Sequence, residues 1–143
     1  MLLLASSFLH AEPVLHDIHG QKIFFSTLRG KWVLINYWAS WCQSCLEEIP
    51  ELNRFYEQNK HKNIALFAVN YDALPPELQH QLVKQYHIQY PALLRDPADA
   101  LHLGEIQAVP VTFIFNPAGK LSNTLYGKQS IRSLTRNTLL NGG

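Results

Sequence analysis

Runs of apolar residues alternate with amphipathic segments along the chain, and this alternation predicts a mixed α/β fold. Residues 31–38 and 63–70 are almost entirely apolar, β-branched or aromatic, as expected of strands buried on both faces of a sheet. Between them, residues 45–59 place apolar side chains three and four positions apart, which predicts a helix with one buried face. Pro50 lies inside this pattern, and we expect it to kink the helix rather than end it.

The remaining predicted elements continue the alternation. In chain order they are a hairpin over 14–25 that turns near Gly20, a helix that begins at Pro75 and Pro76, a strand within 90–96, a short helix from Pro97 to near Gly104, strands over 111–115 and 121–126, and a last helix capped by Ser130. Crossovers followed by a hairpin and a closing helix predict one α/β domain, residues 12–143, with a mixed central sheet covered on both faces.

Composition and net charge limit the classes of function that the chain is expected to have. A chain of 143 residues is long enough for one hydrophobic core without disulfides to stabilise it. Its 12 basic and 11 acidic residues leave a formal net charge of +1, which gives no indication of a nucleic-acid partner or of binding to a membrane surface. We therefore expect no nucleic-acid partner. We also expect a monomer.

The first eleven residues, MLLLASSFLHA, form an apolar segment with small residues. The segment is too short to span a bilayer, which takes about 20 apolar residues. It is similar to the apolar and cleavage regions of a secretory signal, although the basic start is absent, and an ordinary N-terminus is the alternative. We predict that residues 1–11 are a signal-peptide remnant. The protein is then exported to the periplasm or another extracytoplasmic compartment, where an uncleaved segment would hold it at the membrane.

The chain has two cysteines, Cys42 and Cys45, between a predicted buried strand and a predicted helix. This spacing places Cys42 at the helix N-terminus, where free backbone N–H groups and the helix dipole favour an anion. The thiolate is the nucleophile in disulfide exchange. Cys45 lies one turn further and can attack a mixed disulfide formed on Cys42. We predict that Cys42 is the attacking residue and Cys45 the resolving one, with no metal or organic cofactor.

The cysteine pair could instead be a structural disulfide or half of a zinc site. A structural disulfide with this spacing would close so short a loop that it would remove little entropy from the unfolded chain. A zinc site would need two further ligands, and the seven histidines are scattered along the sequence. A CxxC pair between a buried strand and a helix therefore favours redox exchange.

Two separated segments resemble the signatures of thioredoxin-fold proteins of the TlpA/ResA type, which are exported thiol–disulfide oxidoreductases. LRGKWVLINYWASWCQSCLEEIPEL, residues 28–52, is similar to the signature around their cysteines, and AVPVTFIFNPAGKL, residues 108–121, is similar to their proline loop. The similarity runs from about residue 13 to the C-terminus and includes the additional helix and strand between residues 72 and 93. It implies a thioredoxin-like fold.

The resemblance implies how a client protein is bound. Pro110 would follow a cis peptide bond and face the cysteines, and Val109 would pair its backbone with the client chain, as in strand addition. From the sequence alone, Pro110 could also be a trans proline that begins a strand. Trp41 is similar to the tryptophan beside the family's active site and would belong to the docking surface, whereas Trp38 is expected in the core.

The resemblance also concerns proton transfer. Glu48 matches a glutamate that handles protons near the cysteine pair in ResA-like proteins, and its charge would oppose the helix dipole. The alternative is that Glu47 and Glu48 are ordinary surface residues of the first helix turns without a chemical role. We adopt this alternative for Glu47. Asn36 stands where thioredoxin itself has a buried proton-relaying aspartate, so this residue cannot relay protons.

We predict an exported thiol–disulfide oxidoreductase that reduces client disulfides. The resemblance implies client proteins with thiols or disulfides as partners, and a membrane electron donor that restores the dithiol. The resemblance extends to thioredoxins of cytochrome c maturation, so a role in that process is included in the prediction. Val111, however, stands where that subfamily commonly has an acidic residue. One alternative is an oxidase or isomerase of secreted proteins, which only the reduction potential separates from a reductant. Another is a thioredoxin-fold chaperone or copper-binding module that uses the cysteines as soft ligands.

Overall fold

The structure, a computed structural model, describes residues 11–139. The predicted signal segment, residues 1–11, lies outside the described residues except for Ala11. Within residues 11–139, none of the helices is both long enough and apolar enough to cross a membrane.

A five-stranded mixed sheet forms the centre of the fold, in the order β5-β4-β3-β6-β7. The strands are β3 (Trp32–Trp38), β4 (Ile64–Asn70), β5 (Ala92–Leu93), β6 (Val111–Phe115) and β7 (Leu121–Tyr126), after an N-terminal hairpin of β1 (Val14–His16) and β2 (Lys22–Phe24). β3 is parallel to β4 and antiparallel to β6. All seven residues of β3 are buried, which explains its nearly continuous apolar sequence.

Within residues 11–139, three α-helices accompany the sheet, α1 (Gln43–Asn59), α2 (Pro76–Gln85) and α3 (Ile131–Arg136), together with a short 3-10 helix (Phe25–Leu28). α1 continues through Pro50, so the proline does not end the helix, as expected. The α3 helix begins at Ser130, whose side chain accepts a hydrogen bond from the Ser133 N–H in a capping box. The predicted α/β architecture with its N-terminal hairpin and its additional helix and strand is confirmed.

The two faces of the sheet carry separate hydrophobic clusters. On one face, Leu34 of β3 packs with Leu52 and Phe55 of α1, and Cys45 belongs to the same cluster. The other face includes alternate β3 residues such as Ile35, together with residues of β6 and of the hairpin. Burial of both faces fixes the register of β3, because a shift by one residue would exchange the two sets of side chains.

The N-terminal hairpin covers the β5 edge of the sheet. The Ile18 N–H donates to the Ala92 carbonyl at 3.0 Å, and the Leu94 N–H donates to the His16 carbonyl at 2.7 Å. Gly20 lies in the hairpin turn with a φ of 81°, a left-handed conformation that glycine adopts without a steric penalty. The hairpin therefore satisfies backbone groups that an open edge strand would leave unpaired.

The predicted short helix from Pro97 to near Gly104 was wrong, because residues 98–102 form a turn instead. Asp96 does cap this turn, accepting a hydrogen bond from the Ala98 N–H at 2.9 Å. His102 has a φ of 54° and Gly104 a φ of 74°. Left-handed backbone at these two positions ends the helical conformation after a single turn.

Candidate active site

Cys42 and Cys45 form a disulfide at the N-terminus of α1, with their Cα atoms 5.2 Å apart. Cys42 is the N-cap of the helix, and its Sγ accepts a hydrogen bond from the Cys45 N–H at 3.2 Å. The exposed fraction is 7% for Cys42 and 1% for Cys45. Cys42 is thus the more exposed residue of the pair, and it lies where a helix N-terminus stabilises negative charge.

The loop before β6 lies beside Cys42. The Val109–Pro110 peptide bond is cis, and the Val109 carbonyl oxygen is 3.7 Å from Cys42 Sγ. Pro110 immediately precedes β6, and its carbonyl accepts a hydrogen bond from the Gly127 N–H at 2.9 Å. The cis bond that the resemblance implied is confirmed, and the Val109 carbonyl lies beside Cys42. The pairing of Val109 with a client chain stays a prediction.

Trp41 lies on the surface directly before Cys42, with an exposed fraction of 65%. Its indole Nε1–H donates to both carboxylate oxygens of Asp72, at 3.0 and 3.2 Å. Its ring meets the Tyr71 ring edge-on, with the centroids 6.3 Å apart. Trp38, in contrast, is buried in the core as expected. The contacts with Asp72 and Tyr71 hold the exposed Trp41 ring beside the disulfide.

Sequence reasoning missed Tyr71 and Asp72, although a signal for them existed. Both residues follow directly on β4, which is parallel to β3. Because the carboxyl ends of parallel strands meet at one edge of a sheet, residues after β4 are expected near the segment that follows β3. Trp41 belongs to that segment.

Glu48 is fully buried, one turn of α1 beyond Cys45. Asn36 Nδ2 donates to its Oε1 at 2.8 Å, and the Gln129 N–H donates to its Oε2 at 2.7 Å. Burial raises the pKa of Glu48 from 4.5 to about 7, although the hydrogen bonds from Gln129 and Asn36 act in the opposite direction. The carboxyl group is therefore suited to gain or lose a proton near neutral pH.

Glu47 behaves differently from its neighbour. Its side chain is exposed, and Lys128 Nζ lies 2.9 Å from its Oε2. The hydrogen bond from Lys128 lowers the pKa of Glu47, so this residue stays ionised at neutral pH. This exposed position agrees with the expectation that Glu47 is a surface residue without a chemical role.

No group of three or more histidine, cysteine or acidic side chains within residues 11–139 is arranged to hold a metal ion. The prediction that the chain needs no cofactor concerns its chemistry and stays a prediction.

Comparison with known proteins gives related sequences and folds. A model of the AhpC/TSA family matches residues 10–124. The chain is 32% identical to the thiol-disulfide oxidoreductase ResA of Bacillus subtilis (strain 168) over 114 residues, which are 80% of this chain and 63% of that protein. The chain thus spans less than two thirds of the length of this relative.

Two solved structures share the fold. The crystal structure of StoA from Bacillus subtilis matches with a TM-score of 0.72 at 22% identity, covering 89% of this chain and 96% of that one. A thiol:disulfide interchange protein of the thioredoxin family from Chlorobium tepidum matches with a TM-score of 0.68 at 22% identity, covering 90% and 95%. The fold is therefore thioredoxin-like, as predicted.

Proposed function

The chain belongs to the AhpC/TSA family, and on that premise we propose that it is a thiol–disulfide oxidoreductase acting on client proteins through Cys42 and Cys45. The main supporting observation is the Cys42–Cys45 disulfide at the start of α1, with Cys42 as the N-cap and the carbonyl of the cis Val109–Pro110 bond beside it. The name of the ResA relative supports the same activity.

In the proposed reaction, the reduced protein transfers two electrons to a client disulfide. The Cys42 thiolate attacks one client sulfur, which forms a mixed disulfide and releases the other client sulfur as a thiolate. The Cys45 thiolate then attacks the Cys42 sulfur, which releases the second client thiolate and forms the Cys42–Cys45 disulfide. The two cysteines lose two protons, the client sulfurs gain two, and no cofactor is required.

The positions of the two sulfurs support these roles. A thiolate on Cys42 would accept the hydrogen bond that its Sγ already receives from the Cys45 N–H at 3.2 Å. It would also interact favourably with the positive end of the α1 dipole. Cys45 is almost completely buried, so a client disulfide reaches Cys42 first, and Cys45 can attack only within the mixed disulfide.

Client recognition would use the backbone of Val109 and the exposed ring of Trp41. A client chain that pairs with Val109 would be held by main-chain hydrogen bonds, which tolerate many side chains. Val109 places its carbonyl 3.7 Å from Cys42 Sγ, so a chain bound there would present its sulfur close to the nucleophile. Trp41 would add apolar contact area next to it.

Glu48 would exchange protons with the cysteine pair. Its pKa of about 7 allows both protonation states near neutral pH, and it lies one turn beyond Cys45 on the same helix. A carboxyl group in this position can accept the proton that the Cys45 thiol must lose before it attacks. This role of Glu48 is the one that the resemblance to ResA-like proteins implies.

We further propose that the protein works outside the cytoplasm and that it reduces its clients. The signal-like segment over residues 1–11 supports export. The protein would work as a monomeric reductant whose dithiol is restored by a membrane electron donor. Cytochrome c maturation is one process that would need such a reductant.

The test is the equilibrium reduction potential of the Cys42–Cys45 pair in dithiothreitol or glutathione buffers. A value near about −270 mV, as in thioredoxin, supports a reductant, whereas a value near about −120 mV indicates an oxidant. A Cys42→Ser variant is the control and should show no two-electron transition. A wild-type protein that catalyses no exchange with protein disulfides would refute the proposed function in either direction.

A further inference from the structure

Asn36 lies within β3, and both hydrogens of its amide group are used in the core. Asn36 Nδ2 donates to Glu48 Oε1 at 2.8 Å and to Thr112 Oγ1 at 3.0 Å. The exposed fraction is 1% for Asn36 and 0% for both Glu48 and Thr112. These groups are therefore shielded from bulk water, and a buried polar group that loses its partner is costly.

We propose that Asn36 is a positioning residue that pairs with Glu48 in both of its protonation states, and that Thr112 supports the Asn36 amide in both orientations. The proposal rests on the proposed function, because it concerns proton exchange between Glu48 and the cysteine pair. Asn36 itself loses no proton. Asn36 keeps a hydrogen bond to Glu48 while Glu48 gains or loses a proton.

The chemistry of an amide explains how one residue serves both states. An ionised carboxylate only accepts hydrogen bonds, so Asn36 must turn its NH₂ group toward Glu48, as the structure shows. A protonated Oε1 would instead donate and would need an acceptor. Rotation of the Asn36 amide by half a turn supplies its Oδ1 in the same place.

Thr112 suits this exchange because a hydroxyl group can both accept and donate. It accepts from the Asn36 NH₂ group in the present orientation and would donate to Asn36 Oδ1 after the rotation. Asn36 and Thr112 are directly paired across β3 and β6, so the backbone holds the two side chains together. Thr112 also lies two residues after Pro110, which connects this group to the loop beside Cys42.

Other groups around Glu48 contribute to its titration. The backbone N–H of Gln129 donates to the second carboxylate oxygen. Lys128 lies in the same segment and its charge lowers the pKa of Glu48, although it is paired with Glu47. The charge of Glu48 in turn contributes to the raised pKa of Tyr90, whose buried hydroxyl group has no protein partner. Cys45 precedes Glu48 by one turn of α1.

The test follows the Glu48 carboxyl carbon by NMR as a function of pH in the disulfide form, where the cysteines do not titrate. Asn36→Ala removes a hydrogen bond in both protonation states, but the bond to the ionised carboxylate is the stronger one, so the titration midpoint should rise by about one pH unit. Asn36→Asp places two carboxyl groups together, and the pair should retain one proton through neutral pH. Thr112→Val leaves one Asn36 N–H without an acceptor in the orientation that serves the ionised form, so it should raise the midpoint by a smaller amount, and Thr112→Ser should restore the wild-type value.

Asn59→Ala is the matched control, because Asn59 is also a buried asparagine of this core and donates to the Phe55 carbonyl at 2.8 Å. Its loss should lower stability and leave the Glu48 midpoint unchanged. A midpoint that stays at the wild-type value in Asn36→Ala and Thr112→Val, or that moves equally in Asn59→Ala, overturns the proposal.

A second measurement is the pH profile of disulfide exchange by the same variants. The proposal expects the profile of Asn36→Ala to move in the alkaline direction with the NMR midpoint, and an unmoved profile overturns it. If the wild-type protein exchanges no disulfides, the proposed function fails and with it the catalytic meaning of Asn36. The NMR titration then still decides whether Asn36 and Thr112 control the protonation of Glu48.

Discussion

Replacing Glu48 by glutamine removes a carboxyl group that is fully buried and accepts one hydrogen bond at each oxygen. Its pKa is raised from 4.5 to about 7, chiefly by burial. The folded protein therefore binds this proton more tightly than the unfolded chain. The corresponding stabilisation is fully present below about pH 4.5 and is lost as the pH rises through about 7.

The size of this effect follows from the pKa values. One pKa unit corresponds to about 1.4 kcal/mol, so the change from 4.5 to about 7 corresponds to about 3 kcal/mol over the full range. Glutamine cannot ionise and lacks this pH dependence. We expect the free energy of unfolding of Glu48→Gln, relative to wild type, to increase by about 2 to 3 kcal/mol between pH 5 and pH 8.5. Glutamine has an NH₂ group in place of one acceptor oxygen, so the variant also differs from wild type in stability at every pH. The prediction concerns only the change of this difference with pH.

The assay is urea unfolding of both proteins in the disulfide form across this pH range, so that thiol titration does not contribute. Glu47→Gln is the matched control, because Glu47 is exposed and its pKa is lowered rather than raised. Glu47→Gln should not show an increase in the free energy of unfolding, relative to wild type, between pH 5 and pH 8.5. Wild-type and Glu48→Gln profiles that run parallel from pH 5 to pH 8.5 would refute the reasoning about Glu48.

Two further substitutions test the docking surface and the core. Trp41→Ala should change the free energy of unfolding by less than about 1 kcal/mol, since the ring is 65% exposed. It should raise the KM for a protein disulfide but not for a small one, and Phe24→Ala, an exposed aromatic of the hairpin, should leave both KM values unchanged. Leu52→Ala removes a side chain with no exposed surface and should cost about 2 to 5 kcal/mol in urea unfolding; a loss below about 1 kcal/mol would contradict the described packing.

The sequence predicted the parts of the fold that depend on local pattern. The buried strands β3 and β4 are nearly continuous apolar runs, and α1 has a regular apolar spacing. The predicted helix after Pro97 failed because its local signals, an aspartate cap and a proline at the first position, also begin a single turn. The left-handed backbone of His102 and Gly104 ends that turn, and a histidine gives little warning of this conformation.

The candidate site could be predicted only in part, because its contacts join distant segments. The CxxC spacing identified Cys42 and Cys45, but the partners of Glu48 include the backbone of Gln129, 81 residues away. A backbone N–H carries no residue-type signal that a sequence pattern could reveal. The Asn36 contact with Glu48 depends on how α1 packs against β3. The sequence shows Asn36 only as a departure from thioredoxin. Its hydrogen-bond partners, Glu48 and Thr112, are distant in sequence and are brought to it by the fold.

In the proposed reaction, Cys42 attacks a client disulfide and Cys45 resolves the mixed disulfide. The most direct measurement is to mix reduced Cys45→Ser and Cys42→Ser variants with a disulfide-containing protein and to locate covalent adducts by mass spectrometry. We predict that Cys45→Ser accumulates a long-lived mixed disulfide on Cys42, and that Cys42→Ser forms little adduct because Cys45 is buried. Adducts that form equally fast on Cys45, or on neither cysteine, would contradict this account.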